Sequence, residues 1–150
     1  MFQGKYEHAL DEKGRLAIPS HFRKKISAPE TEDCQLIVTV SDQCLAAYTE
    51  SDWQKKIEQI SRLNQLDPRV VAFRRIFVGC AQECPIDKAG RILLPADLRR
   101  DARIDKACIL VGQLDKIEIW SAERWSTVYS QLTDSIGNIC TSMSELGIHI

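Results

Sequence analysis

The sequence predicts an α+β protein that is rich in β-strands, with short helices at its periphery and two copies of one structural unit. An internal repeat is the first observation. The residues from Asp11 to Arg23 return 76 residues later, from Asp87 to Arg99, with Asp, Gly, Arg, Pro and Arg at the same internal spacing. The second observation is that β-type runs and short helices follow one another in the same order in each half. A repeat over nearly the whole chain, without a Gly/Ser-rich linker, indicates one compact body with pseudo-twofold character.

Each copy opens with an extended run, a glycine turn and a second extended run. In the first copy these are residues 5–10, in which bulky side chains alternate, the turn 11–14 and residues 15–18. The pattern predicts a hairpin, in which Gly14 supplies the positive φ angle that a tight turn requires. The second copy repeats these elements as a strand that ends at Ile86, a turn at 87–90 and a strand at 91–94.

A proline ends the second run in each copy and begins a short helix. Pro19 cannot donate a ladder hydrogen bond, and it fits the first turn of a helix over residues 20–26, whose apolar face holds Phe22 and Ile26. Pro95 and a helix that runs to residue 103 are the counterparts in the second copy. Two further β-type runs follow in each copy, at 35–40 and 44–48 and at 108–111 and 116–120.

A longer helix closes each copy. Thr49 with Asp52 resembles a capping box, and Ser121 occupies the equivalent place in the second copy. The apolar side chains that follow recur at helical spacing, which is typical of a packing face, so we assign them no chemistry. They are Trp53, Ile57 and Ile60 in the first copy and Trp125, Val128, Tyr129 and Leu132 in the second.

A further helix over residues 69–77, capped by Asp67 and Pro68, is expected to join the two halves. From about Thr133 onward the periodicity is weak, and the chain is expected to fray or extend. We therefore divide the chain into a first repeat, connecting helices, a second repeat, and a C-terminal helix with its tail. These regions are residues 5–52, 53–80, 81–124 and 125–150.

Composition predicts a modest globular protein. The chain has 150 residues, 44% of them hydrophobic, and no apolar run approaches the ~18 residues of a membrane span, so we expect a cytosolic protein without a membrane partner. Its six cysteines are scattered without paired Cys-x-x-Cys spacing. We interpret them as buried free thiols in preference to a metal site or disulfides.

Positive charge is concentrated in the repeated segments. The net charge is −1, yet residues 1–26 carry six Lys or Arg against three Asp or Glu, and residues 85–106 carry six against four. A single charged run is usually only a solvated surface. The same bias in both copies favours contact with an anionic partner.

The doubled Asp-x-x-x-Arg motif with its flanks, from Met1 to Pro19 and again from Asp87 to Arg91, resembles the MraZ family of bacterial transcriptional regulators. The resemblance covers about residues 1–132. It implies two tandem AbrB-like domains that form a swapped-hairpin, double-split β-barrel, and a ring-shaped homo-oligomer. It also implies binding to double-stranded DNA at G-rich direct repeats upstream of the division and cell-wall gene cluster, including the regulator's own gene, and hence a cytoplasmic, nucleoid-associated repressor.

The residues of the motif suit contact with DNA. Arg15 and Arg91 each follow a turn glycine, from which a guanidinium can donate two parallel hydrogen bonds to O6 and N7 of guanine. Asp11 and Asp87 are expected to orient the loop, since a carboxylate aimed at phosphates would only repel them. Gly14 and Gly90 are expected to serve the turn. Phosphate contacts are predicted for Lys13, Lys88, Arg23, Lys24, Arg99 and Arg100.

Two alternatives remain open from the residues alone. The Asp–Arg pairs could simply fasten the turns, and the prolines and glycines could serve only the fold. The protein could also be an antitoxin-like interaction module that holds a partner protein. We do not expect an enzyme or a cofactor, because the three histidines occupy unrelated repeat positions and no phosphate-binding glycine loop is present.

Overall fold

The computed structural model describes residues 1–26 and 34–150, which form eight strands in two sheets and six helices. The strands are β1 (Lys5–Ala9), β2 (Arg15–Ala17), β3 (Gln35–Val40), β4 (Leu45–Tyr48), β5 (Gln82–Pro85), β6 (Arg91–Leu93), β7 (Ala107–Gln113) and β8 (Lys116–Ser121). The helices are α1 (Ser20–Ile26), α2 (Glu50–Ser61), α3 (Pro68–Phe77), α4 (Ala96–Asp101), α5 (Ala122–Asp134) and α6 (Ile136–Glu145).

The larger sheet interleaves the two repeats. Its strand order is β1-β7-β8-β4-β3-β5, and every pairing is antiparallel. The first strand of each repeat pairs with a strand of the other repeat: Tyr6 lies opposite Leu110, and the equivalent Gln82 lies opposite Val38. The predicted α+β, β-rich class is therefore confirmed. The described residues contain no closed barrel, so the swapped-hairpin barrel stays a prediction.

The predicted hairpins are wrong in their strand pairing. Both turns form, since the Asp11 N–H donates to the Arg15 carbonyl at 3.0 Å and the Asp87 N–H donates to the Arg91 carbonyl at 2.9 Å. Beyond this single rung the strands separate. β2 leaves β1 and pairs with β6 in a sheet of its own, because its partner is the equivalent strand of the other repeat.

Equivalent strands meet at the axis that relates the repeats. In the small sheet Leu16 lies opposite Ile92, its own counterpart in the other repeat. In the large sheet Ala46 lies opposite Glu118, again an equivalent pair. The register on either side of each pair is symmetric, as a pseudo-twofold relation between the repeats requires.

The main core lies between the large sheet and the layer formed by the β2–β6 ribbon with α1 and α4. Leu16, Ile92 and Phe22 are fully buried there against sheet residues such as Leu110 and Ile119. Such large side chains each stabilise the fold by about 1.5–3 kcal/mol relative to an exposed position. The ribbon is therefore fixed to the sheet through one face only.

Helices α2, α3 and α5 cover the other face of the large sheet. Trp53 packs with Tyr48 and Phe77, and Trp125 packs with Trp120 at the equivalent place in the second repeat. The apolar stripe of α5 is only partly a packing face, because Tyr129 and Leu132, which continue it, are exposed.

Side-chain caps begin the longer helices as predicted. Thr49 accepts from the Asp52 N–H at 3.2 Å, Asp67 accepts from the Arg69 N–H at 2.9 Å, and Ser121 accepts from the Arg124 N–H at 3.1 Å. The helix after Pro95 ends at Asp101, before the expected residue 103. The tail forms a further helix, α6.

All six cysteines are free, as predicted, although burial holds for only three of them, Cys44, Cys84 and Cys108. Burial raises the pKa of Cys44 to about 12 and the pKa values of Cys84 and Cys108 to about 11, so these thiols stay protonated at neutral pH. Within residues 1–26 and 34–150, no helix is long and apolar enough to cross a membrane.

Candidate nucleic-acid interface

The outward face of the β2–β6 ribbon brings together the two arginines that the repeat singles out. Side chains alternate along a strand, so residues flanking the buried Leu16–Ile92 pair point away from the core. The register sets Arg15 opposite Leu93 and Ala17 opposite Arg91. Both guanidinium groups therefore project from one short ribbon, each with its side chain about one third exposed.

A carboxylate fixes each arginine at its turn. Asp11 Oδ1 accepts from the backbone N–H groups of Lys13 and Arg15, both at 2.9 Å, while Oδ2 accepts from Arg15 Nε at 2.7 Å. The backbone hydrogen bond from Arg15, together with the bond from its side chain, holds the pKa of Asp11 below its ordinary value. One carboxylate thus sets both the turn and the direction of the guanidinium.

The second turn repeats this arrangement. Asp87 Oδ1 accepts from the N–H groups of Ala89 and Arg91 at 2.9 and 3.0 Å, and Oδ2 accepts from Arg91 Nε at 3.1 Å. The backbone hydrogen bond from Arg91 is the main cause that holds the pKa of Asp87 below its ordinary value. In both repeats Nε is bound to the carboxylate, so the terminal nitrogens of the guanidinium can still donate hydrogen bonds to a partner.

Backbone hydrogen bonds also connect each turn to the end of the ribbon strand of the other repeat. The Ile18 N–H donates to the Gly90 carbonyl at 2.9 Å, and the Leu94 N–H donates to the Gly14 carbonyl at 3.0 Å. Both glycines are buried and have positive φ angles, +80° for Gly14 and +78° for Gly90, as the turn prediction required. The two turns and the ribbon therefore form one connected unit.

One ion pair crosses between the repeats without a symmetric counterpart. Arg91 Nη1 lies 3.7 Å from Asp11 Oδ2, so this carboxylate faces two guanidinium groups. Among the described residues, Arg15 and Asp87 make no equivalent ion pair. The site is therefore pseudo-symmetric, and its two halves differ in charge environment.

The basic residues predicted to contact phosphates fall into two groups. Arg23 on α1 and Arg99 on α4 are half-buried, and each packs against the turn glycine of the other repeat: Arg23 against Gly90 and Arg99 against Gly14. A phosphate role for these two stays a prediction. The other four are exposed, two of them in the turns and two on α1 and α4: Lys13, Lys88, Lys24 and Arg100.

The prediction of the site omitted Leu93, although a signal for it was present. Arg91 begins a strand in which Ile92 points inward, so period-two alternation puts Leu93 on the same face as Arg91. The exposed fraction of Leu93 is 59%. It is the one large apolar side chain on the outward face of the ribbon.

In the described part of the chain, no group of three or more His, Cys, Asp and Glu residues could hold a metal ion. The outward surface of the site carries two guanidinium groups beside Leu93, and the carboxylates of Asp11 and Asp87 hold those guanidinium groups in place. Such a surface suits an anionic or acceptor-rich partner.

The fold and the site together define a class of duplicated α+β proteins. In this class, one equivalent strand from each repeat contributes to a two-stranded ribbon, and the ribbon presents two arginines. The model of one protein family, described as "MraZ protein, putative antitoxin-like", matches residues 1–76 and again residues 77–142. The two matches correspond to the two interleaved repeats.

Curated relatives agree with this match. A protein named "Transcriptional regulator MraZ" from Lachnoclostridium phytofermentans is 40% identical over 149 residues, which are 99% of each chain. A protein of the same name from Acidithiobacillus ferrooxidans is 43% identical over 131 residues, 83% of this chain and 85% of that protein. A third, from Pediococcus pentosaceus, is 36% identical over 149 residues, 99% of this chain and all of that protein. The chain belongs to the MraZ family.

Proposed function

We propose that this protein is a sequence-specific DNA-binding transcriptional regulator whose β2–β6 ribbon enters the major groove. One observation carries the proposal: Arg15 and Arg91 project from the same outward face of a two-stranded ribbon, each held by a carboxylate through Nε. The major groove admits a two-stranded ribbon, and an arginine that donates two hydrogen bonds to O6 and N7 distinguishes guanine from the other bases.

The four exposed basic residues around the ribbon would then contact phosphates. Lys13 and Lys88 lie in the turns that precede the two ribbon strands, and Lys24 and Arg100 lie on the helices that follow those strands, so we expect them to meet phosphates beside the groove. Such contacts increase affinity and fix the orientation of the protein without selecting a sequence. Arg23 and Arg99, which pack against the turn glycines, would add to the positive charge near the phosphates.

The relatives' name supports a regulator of transcription. We further propose the finer features that the resemblance implied: G-rich direct repeats as the binding site, and repression of the protein's own gene and of the adjacent division and cell-wall gene cluster. We propose in addition a ring-shaped homo-oligomer and a cytoplasmic, nucleoid-associated location. The reciprocal pairing of β1 with β7 and of β5 with β3 supports an AbrB-like swapped-hairpin arrangement.

DNA retention in a salt series tests the proposal. The probes are the duplex immediately upstream of the protein's own reading frame and a scrambled duplex of the same length. We expect tighter binding to the upstream duplex, with log affinity falling linearly with log salt despite a net charge of −1, because counterions are released at the basic ribbon. A flat salt response with no preference for the upstream duplex would favour the antitoxin-like interaction module instead.

A further inference from the structure

Leu93 is an exposed leucine in a strand whose neighbouring side chains are buried. Ile92 and Leu94 are fully buried, whereas 59% of Leu93 is exposed. Single exposed leucines are common on protein surfaces, so exposure alone supports no function. The position of Leu93 beside both arginines needs an explanation.

The strand register sets Leu93 beside both arginines. Arg15 is its direct cross-strand partner, and Arg91 precedes it by two residues on the same face. Directly opposed residues have Cβ atoms about 5 Å apart, and neighbours along one face lie within about 7 Å. Successive base pairs are stacked about 3.4 Å apart. If the arginines of the ribbon contact guanines, Leu93 would therefore point toward an adjacent base pair.

The symmetry of the ribbon is broken at this position. Ala17 is the equivalent residue in the first repeat, and it lies opposite Arg91 as Leu93 lies opposite Arg15. The outward face therefore carries two equivalent arginines but only one bulky apolar side chain. A surface of this kind distinguishes one direction along the groove from the other.

The major groove offers one large apolar feature, the C5-methyl group of thymine. We infer that Leu93 contacts the C5-methyl group of a thymine next to a guanine bound by Arg15 or Arg91, and that it is a specificity-determining residue of the interface. This inference rests on the proposed function. It adds to that function a preference for one base, set by a residue that makes no hydrogen bond to DNA.

Removal of the methyl group tests the contact. The probe is the duplex that the full-length protein selects most strongly from a random pool, and each thymine in turn is replaced by deoxyuridine, which keeps every hydrogen-bonding group. At one thymine we expect wild-type affinity to fall about fourfold, the effect of one buried methyl-sized group. The Leu93→Ala variant should bind the thymine and deoxyuridine duplexes equally.

Two further variants serve as controls. Leu114, in the turn between β7 and β8, has a similar exposed fraction of 64%, so Leu114→Ala should keep the wild-type difference between the two duplexes. Leu93→Met keeps an apolar side chain of similar size and should keep most of the difference. Circular dichroism checks that each variant is folded.

The outcomes separate this inference from the proposed function. The proposed function stands if Arg15→Ala and Arg91→Ala lose affinity for the duplex. The inference is then overturned by either of two results: Leu93→Ala still loses affinity when thymine is replaced by deoxyuridine, or wild type loses no affinity at any thymine. If the protein selects no duplex, both fail. If Leu93→Ala changes the molar mass measured by light scattering, Leu93 packs between copies of the chain and the inference is overturned.

Discussion

The guanidinium of Arg23 lies directly against the backbone of Gly90, a turn residue of the other repeat. A Cβ atom built on Gly90 would come within 2.5 Å of Arg23 Nη1 and 2.8 Å of its Cδ. Arg99 packs reciprocally against Gly14, where a Cβ would lie 3.1 Å from Cζ of the guanidinium. Each repeat thus supports the turn that orients the other repeat's arginine.

The substitution Gly90→Ala should destabilise the protein. Alanine at φ +78° costs about 1–2 kcal/mol for backbone conformation alone, and its methyl group would displace Arg23. Gly14→Ala has the same backbone cost, but its added methyl group would lie farther from Arg99 than that of Gly90→Ala lies from Arg23. Gly14→Ala should therefore lower the free energy of unfolding by a smaller amount than Gly90→Ala. Urea unfolding of both variants measures the difference.

A third glycine serves as the control for this comparison. Gly137 lies in α6 with nothing within 4 Å of an added Cβ, so Gly137→Ala should leave stability unchanged or raise it by about 0.5 kcal/mol. Equal effects of Gly14→Ala and Gly90→Ala would show that the backbone angle, and not the arginine contact, determines the cost.

Sequence reasoning could identify local elements because their signals are local. The strands, the turn glycines, and the caps at Thr49, Asp67 and Ser121 depend on residues within a few positions of each other. The repeat 76 residues later singles out the Asp and Arg of the motif, and each pair closes its own turn. No distant contact was needed to predict them.

Strand pairing could not be predicted from the same signals. Both repeats have the same alternation, so pairing β1 within its own repeat or with β7 of the other satisfies the pattern equally well. The choice depends on long-range packing. For the same reason Arg23 and Arg99, which resemble solvated helix residues in the sequence, proved to be half-buried against glycines of the opposite repeat.

Stability at acidic pH should depend on the two turn carboxylates. The pKa values of Asp11 and Asp87 are lowered in the folded protein, first by the backbone N–H groups of Arg15 and Arg91. A lowered folded pKa contributes stability above the unfolded value of about 3.9, and that contribution is lost as the pH falls through the folded pKa. The free energy of unfolding should therefore fall below about pH 4.

The double variant Asp11→Asn with Asp87→Asn tests this pH dependence. Asparagine keeps an oxygen that accepts the backbone hydrogen bonds but has no charge to titrate. The variant should be less stable than wild type at neutral pH and should lose less stability between pH 7 and pH 3, measured by urea unfolding at each pH. An unchanged acid dependence would mean that other carboxylates determine it.

The arginines of the ribbon should determine sequence preference. Arg15→Ala and Arg91→Ala should each weaken binding to the cognate duplex by about 1–3 kcal/mol, the cost of one lost bidentate base contact. Lys24→Ala should instead weaken binding to cognate and scrambled duplexes alike, since phosphates carry no sequence information. Fluorescence anisotropy at one fixed salt concentration measures both.

Arg69 offers a matched control for these arginines. It forms an ion pair with Asp67 at 2.7 Å, but on α3, outside the ribbon. Arg69→Ala removes an Asp–Arg pair of the same chemistry and should leave DNA affinity unchanged. If the two ribbon variants bind the cognate duplex as tightly as Arg69→Ala does, the Asp–Arg pairs of the turns are structural only.

The spacing of binding sites should follow from the orientation of successive subunits. In the proposed ring, head-to-tail contacts repeat one subunit orientation, so neighbouring ribbons meet the same face of B-DNA only where sites recur in one direction about every 10 bp. The asymmetric pair of Ala17 and Leu93 adds a direction to each ribbon. Inserting about 5 bp between two boxes should abolish cooperative binding, and about 10 bp should partly restore it, in footprints of the upstream DNA. A monomer or simple dimer by light scattering, with footprints centred on an inverted repeat, would contradict this arrangement, because a twofold assembly needs sites that face each other.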